Sequence, residues 1–214
     1  MPVTLKLATS LDGRIATAAG LSRWITAEPA RQAVHRLRGQ HDVVLIGVGT
    51  ALADDPELTV RLIDDHDRQP ARVVLDTHQR LSPSSKLARS AREIPTYVVA
   101  INAPEAALIA AGVRVLRVEA INGDRPTLRQ VLDALAAEGL TRVFVEGGGQ
   151  VAGSFLREGL VDAIEWFRAP IILGAEGLPG VGELAVATLA SAPHFRRVEV
   201  SEVGPDIWER YERV

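Results

Sequence analysis

Hydrophobic positions change period several times along the chain, and each change marks an element. From Val3 to Thr9 apolar residues alternate with others, Val3, Leu5 and Leu7 against Thr4, Lys6 and Ala8, which is the period-two pattern of a strand. Asp12-Gly13 then signals a turn. Ala30, Ala33, Val34 and Leu37 recur at helical spacing behind Thr26, a suitable N-cap, and Pro29, tolerated in a first turn; a helix is predicted from Ala27 to Arg38. Asp42 to Ile46 predicts a buried strand feeding a tight turn at Gly47-Val48-Gly49. Thr50 to Asp55 reads as a short helical piece that Pro56 ends.

The polar stretch from Leu62 to Pro70 reads as a surface loop, and beyond it strands and helices alternate. Strands are predicted at Arg72 to Asp76, Thr96 to Ala100, Val113 to Val118 and Arg142 to Glu146. A polar segment and helices at Pro104 to Ala111, Thr127 to Glu138 and Gly149 to Arg157 lie among and after them. Such alternation predicts an α/β fold with a mostly parallel sheet flanked by helices. Ala163 to Arg168, Phe195 to Glu202 and Ile207 to Arg213 read as strands without regular helices between them, so antiparallel strands are expected at the C-terminus. No repeat of fixed period and no low-complexity tract interrupts the pattern, and one domain over residues 1–214 is expected.

Composition narrows the chemistry. A net charge of −3 offers no global field to hold nucleic acid or an anionic membrane, so an anionic ligand must be met by local groups. No apolar run is long enough to span a bilayer and the first residues lack a signal pattern, so a cytoplasmic location is expected. The absence of cysteine excludes thiolate nucleophiles, disulfides and Cys-held zinc. The histidines, His35, His41, His66, His78 and His194, lack metal-ligand spacing, and no metal is expected.

Strand Arg142 to Glu146 runs into Gly147-Gly148-Gly149 and then a helix, which sets bare backbone N–H groups at a strand's C-terminal end, a ready anion site. Close strand-to-helix packing is the other reading, and three adjacent glycines weigh against it. Residues 147 to 152 also fit the relaxed Gly-x-Gly-x-x-Ala dinucleotide fingerprint. That turn comes late in the chain, however, and Asp162 would begin a strand where an acidic residue should end one, so the Rossmann reading loses. Gly47-Val48-Gly49-Thr50 offers a second turn of this type; two could bracket one elongated ligand.

Several side chains carry chemistry in reach of those turns. Asp54 and Asp55 sit beside Glu57 and Arg61; paired aspartates alone would be a solvated turn or cap, and Asp54 gains interest only in company. Glu146 ends an apolar strand directly before the glycines, where ligand contact is favoured over a surface role. Lys6, inside an apolar strand, needs a carboxylate or a phosphate beside it. Arg38 and Arg61 have the fork that suits phosphate, though either alone reads as a solvated arginine. Trp24 caps the core or stacks on a flat ring, and composition leans to the core.

One ordered set of strings now closely resembles the reductase domain of riboflavin biosynthesis, in the dihydrofolate-reductase-like superfamily. It comprises residues 6–14 (KLATSLDGR), 22–26 (SRWIT), Leu37-Arg38, 47–50 (GVGT), 53–61 (ADDPELTVR), 145–156 (VEGGGQVAGSFL), 159–162 (GLVD) and 169–174 (APIILG), covering nearly the whole chain. The resemblance implies a dihydrofolate-reductase-like fold, a homodimer, NADPH as hydride donor, and reduction of 5-amino-6-(5-phosphoribosylamino)uracil to its ribitylamino counterpart. It also implies that Ala8, Trp24, Thr50, Asp54, Thr77, Gly148, Gly149, Gln150, Val151, Ala152, Gly153 and Ser154 contact the nucleotide. Ser22, Arg38, Leu58, Arg61 and Glu146 would contact the substrate, the arginines near its phosphate. Catalysis is expected to fall to Lys6, Asp54 and Glu146. Many relatives carry a zinc deaminase domain ahead of the reductase; with no cysteine here, deamination is expected from a separate chain. Reduction of another pyrimidine or a pteridine such as dihydrofolate, or non-catalytic nucleotide binding, are the competing readings.

Overall fold

Valine, isoleucine and leucine concentrate in short runs along this chain, and several of those runs are strands. The computed structural model describes residues 1–61, 68–120 and 125–214. In chain order the first elements are β1 (Val3–Thr9), β2 (Arg14–Ala16), α1 (Glu28–Gly39), β3 (Val43–Gly47), α2 (Val48–Asp54) and β4 (Ala71–Leu75). Next come α3 (Lys86–Arg89), β5 (Thr96–Ala100), α4 (Ala106–Ala111), β6 (Arg114–Arg117), α5 (Leu128–Ala137) and β7 (Val143–Gly147). The chain ends with α6 (Gly149–Arg157), β8 (Ala163–Arg168), β9 (Leu178–Pro179), a 3-10 turn at Leu189–Ser191, β10 (Phe195–Val203) and β11 (Asp206–Arg213). The result is the expected mixed α/β fold, mostly parallel with antiparallel strands at the C-terminus.

Two compact units divide the chain, one of Met1 with His35–Phe144, the other of Pro2–Val34 with Val145–Val214. In the first, β3, β4, β5 and β6 pair in parallel in that order. Every residue of β3 and β5 is buried, as expected of parallel strands covered on both faces. α5 starts with a capping box, Thr127 accepting from the Gln130 N–H while the Gln130 side chain accepts from the Thr127 N–H.

Asp42, just before β3, accepts the N–H groups of Thr141 and Arg142 and pairs with the Arg142 guanidinium at 3.0 Å. The Arg142 hydrogen bond holds this carboxyl well below the usual carboxylate range. Because its folded value is depressed, the stabilisation is present above the unfolded value near ~4 and is lost as pH falls through the folded one. Asp42→Asn is expected to cost about 2 kcal/mol at neutral pH. Urea midpoints for the two proteins should draw together below about pH 3; a gap independent of pH would refute the assignment.

In the second unit β1 pairs in parallel with β8, β8 with β11 in antiparallel fashion, and β11 with β10 likewise. β1 alternates as its sequence demands: Val3, Leu5, Leu7 and Thr9 are buried, and Thr4, Lys6 and Ala8 lie on the half-buried face. β10 is the outermost strand of this set, largely exposed, with a register shift between Arg197 and Glu199. Its ion pairs to β11 join Arg196 to Glu212 and Glu199 to Arg210.

Some expectations need correction. Gly47-Val48-Gly49 is no tight turn, because β3 runs through Gly47 and α2 begins at Val48, so strand passes directly into helix. α1 begins at Glu28, leaving Thr26 outside it, and the N–H of Ala27 is taken by the Asp206 carboxylate at 2.7 Å. The polar segment after β4 contains the four-residue α3, and β2 pairs with β9 in a small two-stranded ribbon that no pattern announced. The loop expected from Leu62 to Pro70 lies largely outside the described residues.

Candidate active site

The first unit places several of the candidate residues around the exit of α2. Asp54 is the last helical residue, and Asp55 leaves in the left-handed region with φ 40° while its N–H returns to the Ala51 carbonyl. The Asp55 carboxylate then accepts the backbone N–H of Lys86 at 2.9 Å, tying α3 to this corner. Asp55 is thereby occupied in structure, holding α3 to the end of α2.

Leu58 is also left-handed, with φ 55°, and buried. That conformation costs a leucine about 1 kcal/mol, so the surroundings must impose it. They do so through side chains. Arg72 donates to the Glu57 carbonyl at 3.3 Å and Arg38 to that of Thr59 at 2.8 Å. Gln69 brackets Val60, accepting its N–H at 2.7 Å and donating to its carbonyl at 2.9 Å, and the Arg61 N–H reaches His35 Nδ1 at 3.2 Å. Successive backbone groups of this segment are thus fixed without a sheet ladder, which presents Leu58 and Arg61 in one set conformation. Arg61 pairs with Glu57, both half-exposed, and Arg38 donates to the Thr59 carbonyl.

Thr50, the third residue of α2, is half-buried, and a Cβ on neighbouring Gly49 would meet no atom within 4 Å. Thr77 follows β4 and buried Asp76, whose Oδ2 accepts the Leu81 N–H at 2.8 Å, with Arg80 3.8 Å from Oδ1.

The second unit carries further candidate residues. Lys6 and Ala8 share the half-buried face of β1, in register with Glu165 and Phe167 of β8. Glu146 is half-buried on β7, one residue before Gly147. Lys6, Glu146 and, in the first unit, Asp54 are each engaged by a neighbouring group. Gly148, at φ 79°, makes the bend that only glycine accepts readily, and α6 begins with no side chain capping its first turn. The N–H groups of that turn are the available anion donors. Gln150 is exposed there, Val151 and Ser154 are half-buried, and Ala152 is buried.

Packing accounts for Gly149 and Gly153, against expectation. A Cβ on Gly149 would lie 2.3 Å from the Pro179 carbonyl oxygen, one on Gly153 3.0 Å from Gly182, and the Gly182 N–H donates to the Gly149 carbonyl at 2.7 Å. Trp24 corrects another reading: it is 69% exposed rather than in the core, with the Arg31 guanidinium 4.3 Å over its ring. Ser22 nearby is half-buried, its carbonyl accepting from Ile25.

Sequence reasoning missed Arg72, Gln69 and His35, which hold the Glu57 to Arg61 segment. For Arg72 a signal existed, since a lone cation in an apolar strand is the same anomaly that singled out Lys6.

Among the described residues no group of three or more potential ligands could hold a metal ion, and no helix is long and apolar enough to cross a membrane. The riboflavin biosynthesis protein RibD of Bacillus amyloliquefaciens is 37% identical over 96% of this chain and 55% of its own length, so the chain spans about half of that relative. Among solved structures, RibD of Acinetobacter baumannii in one crystal form superposes with a TM-score of 0.85 at 30% identity, covering 100% of this chain and 58% of that one. A Thermotoga maritima structure described as a diaminohydroxyphosphoribosylaminopyrimidine deaminase/5-amino-6-(5-phosphoribosylamino)uracil reductase gives 0.82 at 28% identity, covering 100% and 56%. The RibD C-terminal domain model matches residues 2–208, and the chain belongs to that family, the reductase domain of riboflavin biosynthesis.

Proposed function

We propose that this chain reduces 5-amino-6-(5-phosphoribosylamino)uracil to 5-amino-6-(5-phosphoribitylamino)uracil with NADPH. The observation that carries this reading is the uncapped start of α6 behind Gly148, directly after Glu146, in a chain of the RibD C-terminal domain family. NADPH, when bound, supplies the hydride. The α6 N–H groups suit its diphosphate, and Ala8, Trp24, Thr50, Thr77 and the Gly148 to Ser154 run would orient the nucleotide. Open space above Gly49 and the exposed face of Trp24 are compatible with that role.

In the substrate the ribosylamine ring must open to an imine before its first carbon takes hydride and its nitrogen a proton. Carboxylates and an ammonium serve such proton movements, which assigns Asp54, Glu146 and Lys6 to ring opening and protonation. Ser22, Leu58, Arg38 and Arg61 would seat the substrate, the guanidinium forks near its phosphate. A cytoplasmic homodimer completes the proposal. Zinc-dependent deamination falls outside these residues, which include no cysteine.

The test is the loss of NADPH absorbance when purified protein meets the deaminated ribosylamine, with its non-deaminated precursor, dihydrofolate and NADH as controls. Oxidation of NADPH by the deaminated compound alone is expected. Turnover of dihydrofolate instead would overturn the substrate, and no oxidation with any compound would leave a nucleotide-binding module.

A further inference from the structure

The first unit contains a cavity of about 350 Å³ whose wall includes Glu57, Arg72, Lys86, Arg89 and Glu93. Arg72 is fully buried, and its guanidinium donates only to neutral groups: the carbonyls of Glu57, Leu87 and Ile94 and the hydroxyls of Ser90 and Thr96. Its Nε has no partner. Among the described residues no carboxylate lies within 4.0 Å of it, and burial pulls its pKa down to about 10, which leaves it charged at neutral pH. A buried cation without an ion pair is costly unless an anion compensates it.

Two further cations share that wall. Lys86 and Arg89, on α3, form no ion pair among the described residues. Of the two carboxylates present, Glu57 is already paired with Arg61, and Glu93 forms no ion pair within 4.0 Å among the described residues, although both carboxylates support the Arg72 charge at longer range. Three cations thus face two carboxylates, one of them already paired with Arg61, around a space large enough for a small oxyanion.

We infer that this cavity binds a phosphate-class oxyanion, held by Lys86 and Arg89 over the buried charge of Arg72. The ligand is free inorganic phosphate or the phosphoryl end of a small metabolite, which share the recognised chemistry. The site is separate from Arg38 and Arg61, to which the proposed function gives the substrate phosphate, and it requires neither NADPH nor turnover. It also shares its wall with the candidate substrate segment, because Asp55 holds the Lys86 N–H and Arg72 holds the Glu57 carbonyl. An occupant therefore reinforces the conformation that presents Leu58 and Arg61.

Calorimetric titration of the full chain at low ionic strength, with inorganic phosphate and separately with ribose 5-phosphate, tests this. Saturable binding of one anion per chain is expected for at least one probe, and which probe binds names the source. The double variant Lys86→Ala/Arg89→Ala should bind it about tenfold more weakly or not at all. Glu93→Gln should bind about two- to threefold more tightly. No saturable binding of either probe overturns the inference, as does phosphate binding that survives the double variant. Because both substituted side chains reach solvent, a melting curve suffices to show that the double variant is folded.

Discussion

Asp54→Asn is expected to lower turnover by about 100-fold or more while NADPH is still bound. The side chain stands at the last residue of α2, on a backbone that the left-handed Asp55 and its bond to Lys86 hold in place. Asparagine preserves size and much of the hydrogen bonding but can neither carry the charge nor accept the proton. Steady-state kinetics separate this from simple damage, since a binding defect would raise KM and a chemical one lowers kcat. Asp55→Asn makes the contrast, because it weakens the tie to α3 and should appear in the urea midpoint before it appears in turnover. Turnover in Asp54→Asn within about twofold of wild type would remove Asp54 from the chemistry.

The second large effect is on stability. Gly149→Ala puts a methyl group 2.3 Å from the Pro179 carbonyl oxygen, a backbone atom that cannot swing aside. Either α6 shifts or the Pro179 to Gly182 segment does, and the hydrogen bond from Gly182 to Gly149 is strained with it. A loss of about 2 to 3 kcal/mol is expected, read as a lower urea midpoint at unchanged slope. Gly49→Ala is the counter-experiment, since nothing lies within 4 Å of its Cβ and a helical position gains from alanine. If both substitutions leave the midpoint untouched, close approach does not explain Gly149.

These cases show what the sequence can and cannot disclose. β1, β5, α6 and β8 have the bounds that their periodicity predicts, because each buries one face or both and the pattern of burial is the pattern of letters. α3 escaped because four residues are too few for a period, and its cap at Ser85 is reinforced from Asp55, far back in the chain. β2 and β9 escaped for the same shortness. Within the candidate site, the residue types were legible and their division of labour was not. Nothing local says that Asp55 rather than Asp54 grips a helix, that Leu58 is left-handed, or that Gly149 meets Pro179. Each depends on a partner brought near by the fold.

β10 has a consequence for how the folded chain keeps company. A long, exposed outer strand is a template on which another chain can extend a sheet. Here the register shift between Arg197 and Glu199 breaks the flat ladder such an addition needs, and Arg196, Arg197, Glu199 and Glu202 line the same edge with charge. The exposed valines Val198 and Val200 are interspersed among those charges. Solubility at this margin is written into the strand itself, and a change that smoothed the shift while neutralising the arginines would turn it toward aggregation.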